Sequence, residues 1–411
     1  MDYVRKDIFD SIEDRDDLDQ KTIAIELGIT ERYLTKFKTG EGNLSFRKLM
    51  KIAFIIAPNN PHEKISEWCL HFDSVELIKN SFEYAAITRN TSLLENLLST
   101  HKDCDRKIKE CVDVYTFISN YMKNGFQKTN IKAEIKKIKN IKDECLLILL
   151  DIYRCIDSYL NRKFTTLPDT AECIEERISE LSADRNLFIK ECFIHRLSEI
   201  LSHTYMHLNN LPKARHYSWI IINAQISPKI MSDGYYVLSH TYINSDPEKS
   251  LLYITESLKC MQATGVSYLI EFAEYNVDWI RLLLNKKLPE NCDSSLKAVE
   301  AVKNGTMTAK EAEEVVRKSG DDDLISYFLT ISCENTTQVY TRFSSYISSA
   351  DMFYASIAVA EMIRRGENSE LAHSLRGLVF NPNNNLGDDL FEETFISSFN
   401  GGSIGVRNLC A

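Results

Sequence analysis

Proline and glycine are scarce in this 411-residue chain, at 8 and 14 residues, and folds rich in strands and loops need more of both as turn punctuation. Apolar residues instead recur at three- and four-residue spacing almost throughout, so an all-α fold is expected. No apolar run approaches the ~18 residues of a membrane span. The opening MDYVRKDIFDSIEDRDD lacks the apolar stretch of a secretion signal, so a cytoplasmic location with no membrane partner is expected. The eleven cysteines, an odd number, include no CxxC pair. Cys145, Cys155 and Cys192 fall on apolar helical faces and read as reduced core residues. Also missing are GxxxxGK followed by Ser or Thr, GxSxG, HExxH and any glycine-rich strand-to-helix turn. No enzyme activity, cofactor or bound metal is expected.

What is present begins with residues 20–40, QKTIAIELGITERYLTKFKTG. Ala24 is small enough for two short helices to cross, and Gly28 can take the positive φ that ends the first of them. Ile23, Leu27, Leu34 and Phe37 supply the apolar contacts between the pair. The following GEGNLSFRKLMKIAFII adds a glycine-containing turn, Ser45 as a cap, and Leu49, Ile52, Ala53 and Ile56 at helical spacing. The pattern predicts a helix-turn-helix of the Cro/repressor type, with double-stranded DNA as partner. Lys21, Arg32, Lys36, Lys38, Arg47, Lys48 and Lys51 gather here although the chain carries a net charge of −10. In this docking mode the start of the second helix meets base edges, so Thr30, Glu31, Arg32 and Tyr33, with Lys36 one turn on, are the candidate readers. For Lys38, Lys48 and Lys51, phosphate contact or plain solvation is the simpler role. The acidic stretch with Asp14, Asp16, Asp17 and Asp19 reads as the end of a preceding helix and a cap.

Beyond Pro58 the sequence reads as consecutive antiparallel helices, over 62–72, 74–87, 92–101, 105–123, 130–141, 144–160, 169–181 and 187–208. NNLPKARHYSWIIINAQ and NSDPEKSLLYITESLKCMQ then resemble each other, with Pro212 and Pro247 35 residues apart, close to the 34-residue tetratricopeptide period. The expected organisation is a helix-turn-helix domain over 1–58, a TPR-like right-handed α-superhelix over 59–380, and an irregular Asn/Gly-rich tail over 381–411. Such a stack binds extended peptides in its inner groove. Lys132, Lys136, Lys137, Lys139 and Lys142 surround an Ile131, Ile135, Ile138 stripe, and a solvated face over a packed stripe is the simpler reading than a second DNA contact. His203 and His207 share a helical face at a spacing that could ligate a metal. No third ligand of obvious type lies nearby, which leaves packing or a polar contact to a groove ligand. Tyr235, Tyr236, His240 and Asn244, with Tyr275, Asn276, Asp278 and Trp279, form polar aromatic sets suited to a bound peptide.

This plan resembles the peptide-sensing regulators of Gram-positive bacteria, and is most similar to the AimR-type arbitrium receptors of temperate Bacillus phages. The resembling strings are HEKISEWCLHFDSVELIKNSFEYAAITRNTSLLENLL, LPKARHYSWIIINAQ and SSYISSADMFYASIAVAEMIRRGENSELAHSL, within a likeness spanning 1–380. The resemblance implies a homodimeric transcription factor that, without ligand, activates a phage gene favouring lysis at a partly palindromic operator. A secreted peptide of about six residues, taken up by the bacterial host, would bind the superhelix, stop activation and favour lysogeny. By the same resemblance Asp351 falls on the family's late Asp, Lys229 on its groove Arg, Asp322 on an Asn, and His203 and His207 on asparagines. Those five, with Tyr236, His240 and Asn276, are the candidate peptide-binding residues, and Asp351 is expected to meet the peptide's amine or a basic side chain. Leu371, Leu375, Leu378 and Phe380 match the family's terminal dimer-forming helix. The 381–411 extension, with NPNNNLGDD, NGGSIG and Cys410, has no counterpart there. The rival reading is an adaptor whose superhelix binds a protein partner while the helix-turn-helix tethers it to DNA; an enzyme is the weakest option.

Overall fold

The computed structural model describes residues 1–103, 106–124, 130–181, 183–380 and 397–401. Among them secondary structure is entirely helical, and it opens with a four-helix head: α1 (Asp2–Glu13), α2 (Gln20–Glu26), α3 (Glu31–Thr39) and α4 (Phe46–Ile56). Asp19 caps α2 by accepting the Thr22 N–H at 2.6 Å, and Thr30 caps α3 by accepting the Tyr33 N–H at 3.2 Å. Gly28 between them has φ +63° with open space where a Cβ would stand, so the turn needs its backbone freedom and not its size. Ile23, Ala24, Leu34, Phe37, Leu49 and Ile52 are buried together with Ile8 of α1, as the small-and-apolar pattern requires.

The stack begins with α5 (Pro61–Cys69), α6 (Val75–Ile87), α7 (Thr91–Thr100), α8 (Arg106–Asn124), α9 (Ile131–Lys137), α10 (Glu144–Leu160), α11 (Leu167–Glu180) and the 25-residue α12 (Ala183–His207). Of the expected helices only α9 is markedly shorter: Ile138 turns extended, and Asn140 has φ +62°. Its Ile131 and Ile135 are buried and its lysines exposed, a charged face over a packed stripe. Then come α13 (Leu211–Ala224), α14 (Pro228–Tyr242), α15 (Pro247–Gln262) and α16 (Ser267–Leu283). α13 and α15 start alike, with Asn210 and Asp246 as side-chain caps and Pro212 and Pro247 in the first turn, where a missing N–H costs nothing. Gly234 lets α14 lie close on α13: a Cβ there would stand 2.8 Å from Ile222 Cγ1. The last helices are α17 (Ser294–Lys303), α18 (Ala309–Lys318), α19 (Asp322–Ile331), α20 (Thr336–Ser348), α21 (Met352–Arg364) and α22 (Glu370–Arg376).

One apolar core runs from the head into α21, with a small satellite around Val339, Ala358 and Met362. α21 packs back on α12, so late helices meet the middle of the chain. Polar pins cross this core. Arg196 Nε of α12 pairs with Glu83 Oε1 of α6 at 2.8 Å, and the Tyr115 hydroxyl of α8 donates to Glu83 Oε2 at 2.7 Å. The nine described cysteines form no disulfide. Among the described residues no helix is long and apolar enough to cross a membrane. Of the 381–411 tail only 397–401 is described; NPNNNLGDD, most of NGGSIG and Cys410 lie outside the described residues.

Glu83 and Arg196 are both buried, so losing one partner strands the other's charge. Arg196→Leu should cost about 3–5 kcal/mol, read as a lower urea midpoint at unchanged slope. Adding Glu83→Leu should recover part of that loss. A single variant within about 1 kcal/mol of wild type would show that the pair does not constrain the core.

Candidate ligand groove and nucleic-acid interface

In the head, α3 presents Glu31, Arg32, Tyr33 and Lys36 to solvent, and Lys21 of α2 is likewise exposed. Two candidates are spent on structure: the Thr30 hydroxyl caps α3, and the Tyr33 hydroxyl donates to the Asn43 carbonyl at 2.7 Å. Lys48 lies over the Tyr33 ring, 5.8 Å from its centroid, which leaves its charge on the same side. Lys38 turns the other way, pairing with Glu13 at 3.1 Å and lying over Phe9. Arg47 requires a correction. Its guanidinium points inward, donating to Ser398 Oγ at 2.6 Å and pairing with the buried Glu191 carboxylate at 3.5 Å. A side chain so engaged is not offered to DNA; the sequence placed it on a basic segment but could not show which face of α4 it occupies.

The second site lies where α12, α14, α19 and α21 converge with the end of α10. Asp351 caps α21 by accepting the Tyr354 N–H at 3.3 Å; it also meets His207 Nδ1 at 3.2 Å and Arg162 Nη1 at 3.4 Å. Arg162 bridges onward to Asp323 at 3.1 Å. His207 stacks on Phe164 at 4.4 Å between ring centroids, nearly parallel. An aromatic strip leads away from this cluster: Tyr159 to His203 at 5.9 Å, His203 to Tyr236 at 6.1 Å, Tyr236 to His240 at 4.2 Å, and His240 to Phe353 at 5.6 Å. A further charged group lies within electrostatic reach of α14, with Arg89 and Glu199 3.7 Å apart and Lys229 acting on Asp233.

The two histidines that share a face have opposite electrostatics. Burial alone would keep His207 neutral, but the charge and hydrogen bond of Asp351, helped by Asp323, outweigh it and raise its pKa. Half-buried His203 is pushed down to about 3 by desolvation, with His207 and His240 adding repulsion. Desolvation likewise lowers His240 to about 4, and raises Asp233 to about 6 against the pull of Lys229. Among the described residues no group of histidines, cysteines and carboxylates is arranged to hold a metal ion.

The structure thus brings His203, His207, Tyr236, His240 and Asp351 together, with Lys229 near Asp233. Asp322 is exposed and, among the described residues, has no hydrogen bond or ion pair to the cluster; the neighbouring Asp323 faces Arg162 instead. Asn276 is buried in α16 without a hydrogen bond to the others. Asp351 is not an open acceptor, since a helix cap, a histidine and an arginine already engage it. Residues 59–380 also supply side chains that the sequence reading passed over: Tyr159, Arg162, Glu199 and Asp233. Glu199 and Asp233 precede His203 and Tyr236 by four and three residues, so helical spacing could have flagged them. Nothing local marks Arg162, which follows α10 at φ +53°.

The AimR transcriptional regulator-like family matches residues 62–364. The chain belongs to that family. It is a family of transcriptional regulators, not of enzymes. Two solved phAimR structures have the same fold. The selenomethionine form has a TM-score of 0.62 and 19% identity, covering 91% of this chain and all of that one; the phAimR–ligand structure has the same score and identity, covering 77% and 96%. An uncharacterized Bacillus anthracis protein is 29% identical over 133 residues, 31% of this chain and 48% of that protein, so the chain spans about half of that relative.

In this AimR-like chain the histidine shifts fix a pH response. The stability His207 contributes is present below about 6.5 and lost as pH rises through its higher folded value. His195, His203 and His240 are lowered, to about 3, 3 and 4, so theirs is present above about 6.5 and lost on acidification. Raised carboxyls such as Asp233 gain stability over the same range, so the expected outcome is a difference: between about pH 7 and about pH 5 the Tm of wild type should move downward relative to that of His203→Asn. NMR titration should find His203 and His240 neutral at about pH 5 and His207 still protonated above about pH 6.5. A cationic His203 at the lower pH would contradict the assignment.

Proposed function

We propose that this AimR-family protein is a peptide-responsive, DNA-binding transcriptional regulator in the cytoplasm of a bacterial host, setting the lysis-lysogeny choice of a phage. Double-stranded DNA binds through Lys21, Arg32, Lys36 and Lys48 of the head, and a short peptide binds in the groove along α12, α14, α19 and α21. The observation that carries this reading is the contrast between the two sites. On α3 the cations Arg32 and Lys36 are exposed and have no ion-pair partner among the described residues, as a phosphate- and base-facing helix needs. In the groove the arginines are matched instead: Arg162 with Asp323 and Asp351, Arg89 with Glu199. A short peptide brings an amine and a carboxylate, and can exchange places with such pairs without stranding a charge. That phAimR has been solved with a ligand supports the same assignment.

The protein acts as a homodimer through its terminal helix region, where Leu371 and Leu378 are exposed and Leu375 is half-buried. Phe380 serves differently. It packs on the main core while its N–H donates to the Leu208 carbonyl at 3.1 Å, fastening this region to the end of α12.

DNA binding is tested by titrating operator and scrambled duplexes at several salt concentrations. Arg32→Ala should cost about 1–3 kcal/mol at one operator position, while Lys48→Ala weakens all duplexes alike and lowers the salt slope by about one. Equal loss on both duplexes for Arg32→Ala would remove it from base reading. Peptide binding is tested by calorimetry with the short peptide encoded in the neighbouring reading frame. Arg162→Ala should weaken it by about 2–5 kcal/mol, whereas Asp322→Ala, pointing elsewhere, should leave it within about threefold. The reverse order would return the site to Asp322, and no binding to wild type would favour the adaptor.

A further inference from the structure

The described part of the tail, residues 397–401, lies in a slot between the head and the stack. Phe399 is 1% exposed. Its ring stacks nearly parallel on Tyr84 of α6 at 6.2 Å and meets Phe188 of α12 at 5.7 Å; Phe46 of α4 closes the same cluster, 4.6 Å from Phe188. Around this ring the tail's polar groups are used one by one. Ser398 donates its N–H to Glu191 Oε1 at 2.6 Å and its hydroxyl to Oε2 at 2.5 Å, and that hydroxyl accepts from Arg47 Nε of α4. Ser397 donates to the Ala224 carbonyl at 2.6 Å, one of the carbonyls that the end of α13 leaves without a helical partner. Gly401 rests against Phe54 of α4.

The slot is built for this occupant. Glu191 is 2% exposed, and burial pushes its carboxyl up while Arg47 and the tail serines pull it back. Without the tail it would keep only Arg47, at 3.5 Å, and leaving a buried carboxylate short of hydrogen bonds is costly. Among the described residues the seam leaves a cavity of about 320 Å³ on this side, between Lys48 and Lys51 of α4 and Glu76 and Asn80 of α6. Ser398 and Phe399 bridge that seam by touching α4 on one side and α12 on the other. Residues 397–401 lie beyond the family match over 62–364, yet Phe399 is one of the largest fully buried side chains of the fold.

We propose that residues 397–401 are a tethered latch, a Ser-Ser-Phe ligand carried by the chain itself, that binds the slot between α4 and α12–α13 and holds the head in one orientation on the stack. The latch acts on the same α12 that carries His203 and His207, and its release frees the head. The consequence for DNA rests on the regulatory reading above; the latch itself does not.

The test is hydrogen exchange on the full chain and on Phe399→Ala, with Ser398→Ala as a second variant that keeps the aromatic ring. In both, the amides of α4 should exchange faster, on the order of 100-fold for Phe399→Ala and less for Ser398→Ala, while α16–α18 keep wild-type protection. Unchanged protection of α4 would overturn the proposal, because the head would then hold its place without the latch. Protection lost evenly from α4 to α18 would overturn it too, by making Phe399 an ordinary core residue. Operator affinity of the same proteins separates the two readings. If wild type binds no operator, the regulatory reading fails while the exchange rates still decide the latch.

Discussion

The buried pair of Arg196 and Glu83 sets the rotation of α12, and α12 is the element on which both sites depend. The pair is worth little as attraction, because taking two charges out of water offsets most of it. Its force lies in the alternative. Any rotation of α12 that separated the guanidinium from Glu83 would leave two charges stranded in an apolar core. At 3.6 residues per turn His203 and His207 lie within roughly 20° of Arg196 around the helix, so fixing one fixes the others toward the groove. Five residues before Arg196, Glu191 faces the head and the tail instead. One helix thus carries the inward polar wall of the groove at one end and the attachment of the head at the other.

The arginines of this site are paired with carboxylates rather than left open. Arg162 pairs with Asp323 and Asp351, His207 with Asp351, and Arg89 with Glu199, while the aromatic strip runs from Tyr159 to Phe353. Under the proposed reading a peptide acts by replacing some of these pairs with its own. It can shift the shape of the stack only by binding one shape better than another. From Glu191 to His207 the helix spans about 24 Å at 1.5 Å per residue, and a rigid rod of that length, pinned at both ends, is a physical route between the sites.

Local chemistry was readable wherever a feature depended on neighbours in the chain. The head helices follow from Ala24, Gly28 and the capping Asp19, although Thr30, read as facing bases, turns out to cap α3, and most stack helices begin and end within a few residues of where apolar spacing puts them. The family likeness, carried by strings between 62 and 375, agrees with the family match over 62–364. Legibility stopped at rotation and register. Asp322 and Asp323 are adjacent, and only packing of α19 against Arg162 selects the second. Arg47 belongs to a basic segment by sequence and to an internal latch by its place on α4. Arg162 gave no local sign, because its partners are 161 and 189 residues away.

The sequence alone determined the helical class, the helix-turn-helix and the repeat-like hairpins, since each rests on hydrogen bonds and apolar contacts within a few turns of chain. It also determined that catalytic motifs are missing, because those are local strings. Only the tertiary structure decided that Asp351 is engaged by His207 and Arg162, and that Arg47 turns inward to Glu191. It also placed Phe399, in a segment that reads as irregular, in the core. Each of these depends on a partner that the chain brings back from far away, and burial, which sets the energy of a charge or a ring, is a property of the packed assembly and not of any one segment.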